Sequence, residues 1–383
     1  MARKLLSAGT NEAMHLVGLA AFIAFALTFI PAVRARFIAK LFGGIARQHR
    51  VHHWLGFTTG VIILIHLLYE TLREPESAFS LEDPFLLLGW IASVLMFAGL
   101  FFSVAKTLTH RFWIWFHWSL FISLVAAACH GFAYLHDATL DRLVFYTSSA
   151  IVATSTILIL ASRQAFSAWT VTGINEITPN LHEILLKPEK KESRGFKAGS
   201  VVFAQFGAGF SRTWHPFSVA SCQFSPVMRL LIKSVGTDTS HLEDLREGSS
   251  MSIHGPFPEF NVPRKQDQVW IAAGVGIAPF LGLTRCLDFQ DSGKIRLIHY
   301  QAPDDWMLAG EFEGFQKRYP QFQWKNVMTA RATFDELNTL AEGLDNPAFL
   351  ICGPPAFMKG ARKFLKKQGV SSSNIHTEEF SPW

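Results

Sequence analysis

Up to Arg163 the chain is a series of long apolar runs separated by short charged segments; beyond it, short apolar runs alternate with Gly, Pro and charge. A helix that crosses the hydrocarbon core of a bilayer needs about 20 mainly apolar residues. Five stretches reach that length, at roughly 13–33, 51–69, 85–105, 114–135 and 142–162. From 168 onward the period shortens to that of strands, at 169–172, 182–187 and 200–205, punctuated by Gly and Pro as in a small antiparallel barrel. A strand at 268–273 then runs into a glycine turn, and strands at 295–300 and 348–352 alternate with helical segments. The pattern predicts a multidomain membrane protein: an α-helical transmembrane bundle (1–165), an antiparallel β-barrel (166–263) and a Rossmann-like α/β nucleotide domain (264–383).

Composition sharpens this division. Of 383 residues 49% are hydrophobic, with 35 Phe and 11 Trp, and almost all the long apolar runs fall in the first part. The net charge of +5 is not arranged as a basic stripe interleaved with aromatics, which argues against nucleic acid as a partner. Instead the charges orient the spans. Arg34, Arg36, Lys40, Arg47 and Arg50 follow the first span, Glu70, Glu74, Glu76, Glu82 and Asp83 follow the second, and Lys106 and Arg111 follow the third. Basic loops face the cytosol, so the expected protein is multi-pass in a bacterial inner (cell) membrane with its soluble half cytosolic. Five spans place the N-terminus outside, against Arg3 and Lys4. A cleaved signal peptide is the rival reading, with Pro31–Ala35 a poor cleavage site. Cys129, Cys222, Cys286 and Cys352 form no CxxC pair, which fits a reducing setting for the soluble half.

Histidine inside a spanning helix is expensive unless it pairs or ligates. The second span carries His52 and His66, and the fourth carries His117 and His130. Steps of 14 and 13 residues rise about 21 Å and about 19.5 Å, too far for one iron and suited to two stacked haems with two imidazoles each. His52 would pair with His117 near the inner face and His66 with His130 near the outer face. The 13-residue step turns His130 about 140° away from His117, so rewinding or helix crossing is needed there. His53 competes with His52, but His52 keeps the same helix face as His66. With His52-His53-Trp54-Leu55-Gly56 opening one helix, this half resembles the ferric reductase transmembrane domain shared by NADPH oxidases and ferric-chelate reductases. That resemblance implies two b-type haems on His52, His66, His117 and His130. The family's oxidases usually have six spans, and the span missing here corresponds to their first.

In the soluble half, Ser218, Ser234 and Thr239 offer hydroxyls, Lys233 a charge and Gly236 close backbone approach, a set that suits a pyrophosphate. The stretches His215-Pro216-Phe217-Ser218 and Lys233-Ser234-Val235-Gly236-Thr237-Asp238-Thr239 resemble the HPFT and RSVGxxT flavin motifs of the same oxidase family. By that likeness His215, Pro216, Phe217 and Ser218 border the isoalloxazine of FAD, and Lys233, Ser234 and Thr239 hold its pyrophosphate. Lys stands for the family's frequent Arg, and Gly255-Pro256-Phe257-Pro258 for its GPFG.

Gly274, Gly276 and Pro279 form a glycine turn between a strand and a helix N-terminus, built for dinucleotide phosphate. With Cys352, Gly353 and Pro354 they resemble the nicotinamide half of the ferredoxin reductase family, which ends on an aromatic that shields the flavin. Phe380 fits that ending, with Trp383 as the alternative. Asp304 and Asp305 suit a ribose hydroxyl and lean towards NADH, while Arg331 leaves NADPH or dual use open.

The expected function is electron transfer from NAD(P)H through FAD and two haems to an external acceptor, with O2 giving superoxide preferred. Whole-chain resemblance to single-chain bacterial oxidases favours that acceptor. A ferric-chelate reductase and an electron-delivery subunit for an extracytoplasmic partner are the alternatives. Glu70, one turn past His66, favours a cation such as iron. The lipid bilayer, NAD(P)H and O2 or a ferric chelate are the expected partners, and no obligatory protein partner is expected.

Overall fold

The computed structural model describes residues 2–73, 75, 79, 82–104, 110–135, 139–163, 166–190, 196–206, 214–234, 242, 245–258, 265–286, 293–302, 308–329 and 332–379. They form two compact units, one made of Met1–Ile38 and Arg47–Gln164, the other of Ala39–Ala46 and Ala165–Pro382.

Apart from Ala39–Ala46, the following helices make up the first unit: α1 (Ala2–Thr28), a 3-10 turn at Ile30–Ala32, the short α2 (Arg36–Phe42), α3 (Ile45–Arg73), α4 (Pro84–Val104), α5 (His110–Ala133) and α6 (Thr139–Arg163). Five of these helices are long and apolar enough to cross a membrane. Pro31 ends α1 before the expected boundary, because a proline cannot continue the hydrogen-bond ladder. α3 starts six residues before its apolar stretch, with Arg47 and Arg50 inside its first turns. The usual soluble pattern is inverted: Trp54, Phe101, Trp115 and Ile157 are exposed on the helices, while Thr59, Ser93, Ser123, Asp141 and Ser155 are buried. In lipid, association comes from small residues and polar contacts between helices. Gly99 is such a contact, since a Cβ there would stand 2.5 Å from Leu120 Cδ2, and Ser123 Oγ donates to Ala92 O across the same α4–α5 pair at 2.6 Å. Closest backbone packing joins α4 with α5 and α1 with α6, and α3 meets α1, α4 and α5 through side chains, among them Leu100 of α4, which a Cβ on Gly60 would meet at 2.6 Å.

The second unit begins with a six-stranded antiparallel sheet of β1 (Phe166–Thr178), β2 (Leu181–Pro188), β3 (Val201–Phe206), β4 (His215–Ser218), β5 (Met228–Lys233) and β6 (Ser250–Phe257). Its order is β4-β3-β6-β1-β2-β5, and its two edges meet at an isolated bridge, Val219–Leu230. The sheet is thus a curled half-barrel. Its core is formed by Val171, Ile184, Val202, Val219, Leu230 and Ile253.

A parallel five-stranded sheet follows, ordered β11-β10-β7-β8-β9, from β7 (Gln268–Ala273), β8 (Ile295–Gln301), β9 (Phe322–Met328), β10 (Ala348–Gly353) and β11 (Ile375–Glu379). Its helices are α7 (Ala278–Thr284), α8 (Ala309–Arg318), α9 (Glu336–Ala341) and α10 (Pro355–Lys367). β7 and β10 are buried at every position, as central parallel strands covered on both faces must be.

Candidate functional site

Four helical histidines form the first constellation. His52 Nδ1 donates to Thr28 O at 2.9 Å, which leaves Nε2 as the free ligand atom of the ring. The His52 and His117 rings have centroids 5.9 Å apart at 57°. Two imidazoles bound to one metal through nitrogens at about 2 Å would have centroids about 6 Å apart. His117 Nδ1 lies 3.3 Å from Ser103 Oγ, and His130 Nδ1 donates to Phe85 O at 2.9 Å. His66 and His130 are electrostatic neighbours. His66 Nδ1 is buried without a hydrogen-bond partner among the described residues. Its ring lies against Gly18, where a Cβ would be 3.5 Å away, and the His130 ring lies against Gly89, where a Cβ would be 2.8 Å from Nδ1. His53 is exposed, whereas His52 is half-buried.

α5 runs unbroken from His110 to Ala133, so no rewinding corrects the 13-residue step. His130 is instead aimed by α4, through Phe85 O and Gly89. Asp83 Oδ1 caps α4 by accepting from Phe85 N (2.8 Å) and Leu86 N (3.3 Å), and its other oxygen accepts from the Tyr134 hydroxyl.

The second constellation lies in the soluble unit. His215, Pro216, Phe217 and Ser218 are the whole of β4, paired with Ala204 to Val201 of β3. Ser218 Oγ donates to Glu378 Oε1 at 2.9 Å, and Glu378 is fully buried on β11. The sequence reading missed Glu378. Its only signal is a carboxylate on the inward side of the last strand.

Lys233 closes β5, and Ser234 N donates to Asn180 O at 2.7 Å. Gly236, Thr239, Asp304, Asp305, Arg331, Phe380 and Trp383 lie outside the described residues.

The two nucleotide motifs meet each other. A Cβ on Gly276 would stand 2.5 Å from Cys352 O and 2.8 Å from Gly353 Cα, and one on Gly353 would stand 2.9 Å from Ala273 Cβ. Only glycine permits that approach. Gly274 has a left-handed φ of 53°, and its carbonyl accepts from Nε2 of the buried His299 at 2.9 Å. His299 is a second residue the sequence reading passed over, an inward polar position on β8. Pro279 opens α7, and Pro354 precedes α10, as suits their fixed φ and missing N–H.

Cys222 and Cys286 are joined by a disulfide, while Cys129 and Cys352 are not disulfide-bonded. No CxxC spacing announces this bridge, because chain folding brings together two cysteines separated by 64 positions.

Residues 17–139 match the family described as ferric reductase like transmembrane component, and residues 270–363 match the oxidoreductase NAD-binding domain. The phenol hydroxylase P5 protein of Acinetobacter pittii is 28% identical over 55% of this chain and 64% of its own length. The reductase subunit of an aromatic O-demethylase from Amycolatopsis sp. is 26% identical over 56% and 69% respectively. NADH-cytochrome b5 reductase 2 of Kluyveromyces lactis is 28% identical over 45% and 65%. The chain thus spans less than two thirds of the length of the first and third of these relatives, 64% and 65%. A ferredoxin NADP+ reductase from Neisseria gonorrhoeae, solved with FAD and NADP, superposes with a TM-score of 0.50 at 20% identity, over 56% of this chain and 98% of its own. The flavohem-like FAD/NAD binding domain of a Vibrio cholerae nitric oxide dioxygenase gives the same score and identity, over 56% and 99%. The chain thus joins five apolar helices, most of which fall within a match to the ferric reductase like transmembrane component family, to an oxidoreductase NAD-binding domain within a module that has the ferredoxin reductase fold.

Proposed function

We propose that this chain takes hydride from cytosolic NAD(P)H and passes single electrons across a cell membrane to O2, giving superoxide on the far side. The observation that carries this reading is the His52–His117 pair, with ring centroids 5.9 Å apart and the outer nitrogen of His52 engaged by Thr28 O. FAD would supply the conversion of a hydride into single electrons, and two b-type haems would supply one-electron carriers. His52 and His117 are the inner ligands in this reading, and His66 and His130 the outer ones. The fixed Nδ1 contacts of His52, His117 and His130 set ring tautomer and orientation. Neutral imidazole donors in an apolar bundle suit a low-spin iron that exchanges electrons rather than binding substrate.

In the soluble unit, His215 to Ser218 border the flavin ring, and Lys233, Ser234, Gly236 and Thr239 take its pyrophosphate. Ser218 and Glu378 tie the flavin strand to the last strand, so that Phe380 follows two residues beyond that contact. Gly274, Gly276 and Pro279 receive the nucleotide phosphates, while Cys352, Gly353 and Pro354 lie by the nicotinamide. Asp304 and Asp305 favour NADH. Reduction of a ferric chelate is the second reading, favoured by Glu70 near the outer end of α3.

The test is reduction of cytochrome c by purified, FAD- and haem-loaded protein given NADH. Abolition by superoxide dismutase supports the oxidase. Dismutase-insensitive reduction contradicts it, and reduction of a ferric chelate at a higher kcat/KM than O2 establishes the second reading.

A further inference from the structure

We propose that Cys222 and Cys286 form a reversible thiol–disulfide site that exchanges with cytosolic dithiols and sets how firmly α7 is held against the flavin strand. The pairing stands on the fold; its reversibility rests on the cytosolic placement proposed above. In a reducing compartment a protein disulfide is transient, catalytic or redox-sensing rather than a permanent staple.

The location gives the bond its effect. Cys222 lies four residues beyond Ser218, and Cys286 lies two beyond the end of α7, the helix that opens at the glycine turn. The two Cα atoms are 4.7 Å apart. Between these elements α7 already touches backbone, since a Cβ on Gly282 would stand 2.4 Å from Val219 O. Arg285 donates to Ala220 O at 2.6 Å, grips Glu311 with two bonds of 2.6 and 2.8 Å, and reaches the buried Glu183 at 3.2 Å. Arg229 meets Glu183 from the other side at 3.2 Å. This junction therefore keeps its ion pairs when the sulfur bridge opens. Reduction loosens it without unfolding it.

The bridge is also within reach of a reagent. Both cysteines line a cavity of about 530 Å3 with Ser221, Arg229, Arg285 and Glu311. Cys222 is buried and Cys286 half-buried, so attack falls on Cys286 Sγ. The reductant's thiolate forms a bond to Cys286 Sγ as the Cys222–Cys286 bond breaks, and the electron pair and a proton go to Cys222. The reductant's second thiol then displaces Cys286 and leaves as an intramolecular disulfide, so two electrons and two protons enter the chain. Gln223 Oε1, 2.9 Å from Cys286 Sγ, is an acceptor in place for the new S–H.

The experiment uses full-length protein in detergent, poised with ratios of reduced and oxidised dithiothreitol, alkylated and mapped by mass spectrometry. The expected result is joint, reversible alkylation of the Cys222 and Cys286 peptides. The KM for NADH should change about two- to tenfold with the reduced fraction, and Cys222→Ser and Cys286→Ser should each hold it at the reduced value. Three outcomes overturn the proposal: thiols that never pair under oxidised dithiothreitol, a bridge that resists excess reductant, or one KM in both states. Alkylation is read without turnover, so failure of the electron-transfer reading leaves this result standing, and the reverse also holds.

Discussion

Individual side chains carry the first tests. Ser218→Ala removes the donor to Glu378 and leaves a fully buried carboxylate short of a hydrogen bond. It should slow flavin reduction by NADH about 10- to 100-fold, read by stopped-flow absorbance, with KM moved less. Ser218→Thr keeps the hydroxyl and should restore most of the rate. An unchanged Ser218→Ala rate would show that the pair plays no part in aligning the two strands. Ser103→Ala, which strips the neighbour of His117 Nδ1, should weaken retention of the inner haem about tenfold, read by haem absorbance after dilution. His52→Ala should remove that haem altogether while His53→Ala spares it, since His53 is exposed and His52 faces both Thr28 and His117. The residue types and spacings were readable in the sequence here. Glu378 and His299 were not, because a polar residue on a buried strand announces itself only when its partner, distant in sequence, is placed.

At the scale of elements, close approach decides more than propensity. Gly276→Ala puts a Cβ where Cys352 O already stands, 2.5 Å away, so the glycine turn and the Cys-Gly-Pro loop must part. We expect a loss of about 1–3 kcal/mol in the stability of the soluble unit, measured by denaturant unfolding, together with a raised KM for NADH. The start of α4 gives a pH test. The Tyr134 hydrogen bond, followed by the Phe85 and Leu86 N–H groups, holds the Asp83 carboxyl below its ordinary range. Burial, followed by the bond to Asp83, pushes the Tyr134 phenol up to about 12. The lowered Asp83 contributes above about pH 4 and is lost as pH falls through its folded value. The raised Tyr134 contributes below about pH 10 and is lost as pH rises towards its folded value. Thermal stability should therefore keep a constant wild-type advantage over Tyr134→Phe between those limits and lose it on either side. An advantage that varied between pH 5 and 9 would contradict the assignment. The 13-residue step to His130 belongs here too: helical geometry alone turned that residue away, and the missing information was the carbonyl of Phe85 and the bare Cα of Gly89 on a neighbouring helix.

For the whole molecule, periodicity and length were enough to foresee five apolar helices, an antiparallel sheet and a parallel sheet, because each imposes its own spacing of apolar positions. The sheet's openness was not foreseeable, since closure depends on whether β4 and β5 pair along their length, and among the described residues they meet at the Val219–Leu230 bridge and the adjoining Ala220–Arg229 bond. The Cys222–Cys286 bridge, spanning 64 positions, was likewise beyond local pattern. The central claim is a single chain of electron transfer from nucleotide to two haems. It is tested most directly by anaerobic titration of the purified, cofactor-loaded protein with NADH, followed by visible absorbance. The account predicts flavin bleaching followed by reduction of two b-type haems per chain, halved in His66→Ala. Full flavin reduction with no haem signal, in protein whose haems dithionite reduces, would contradict it.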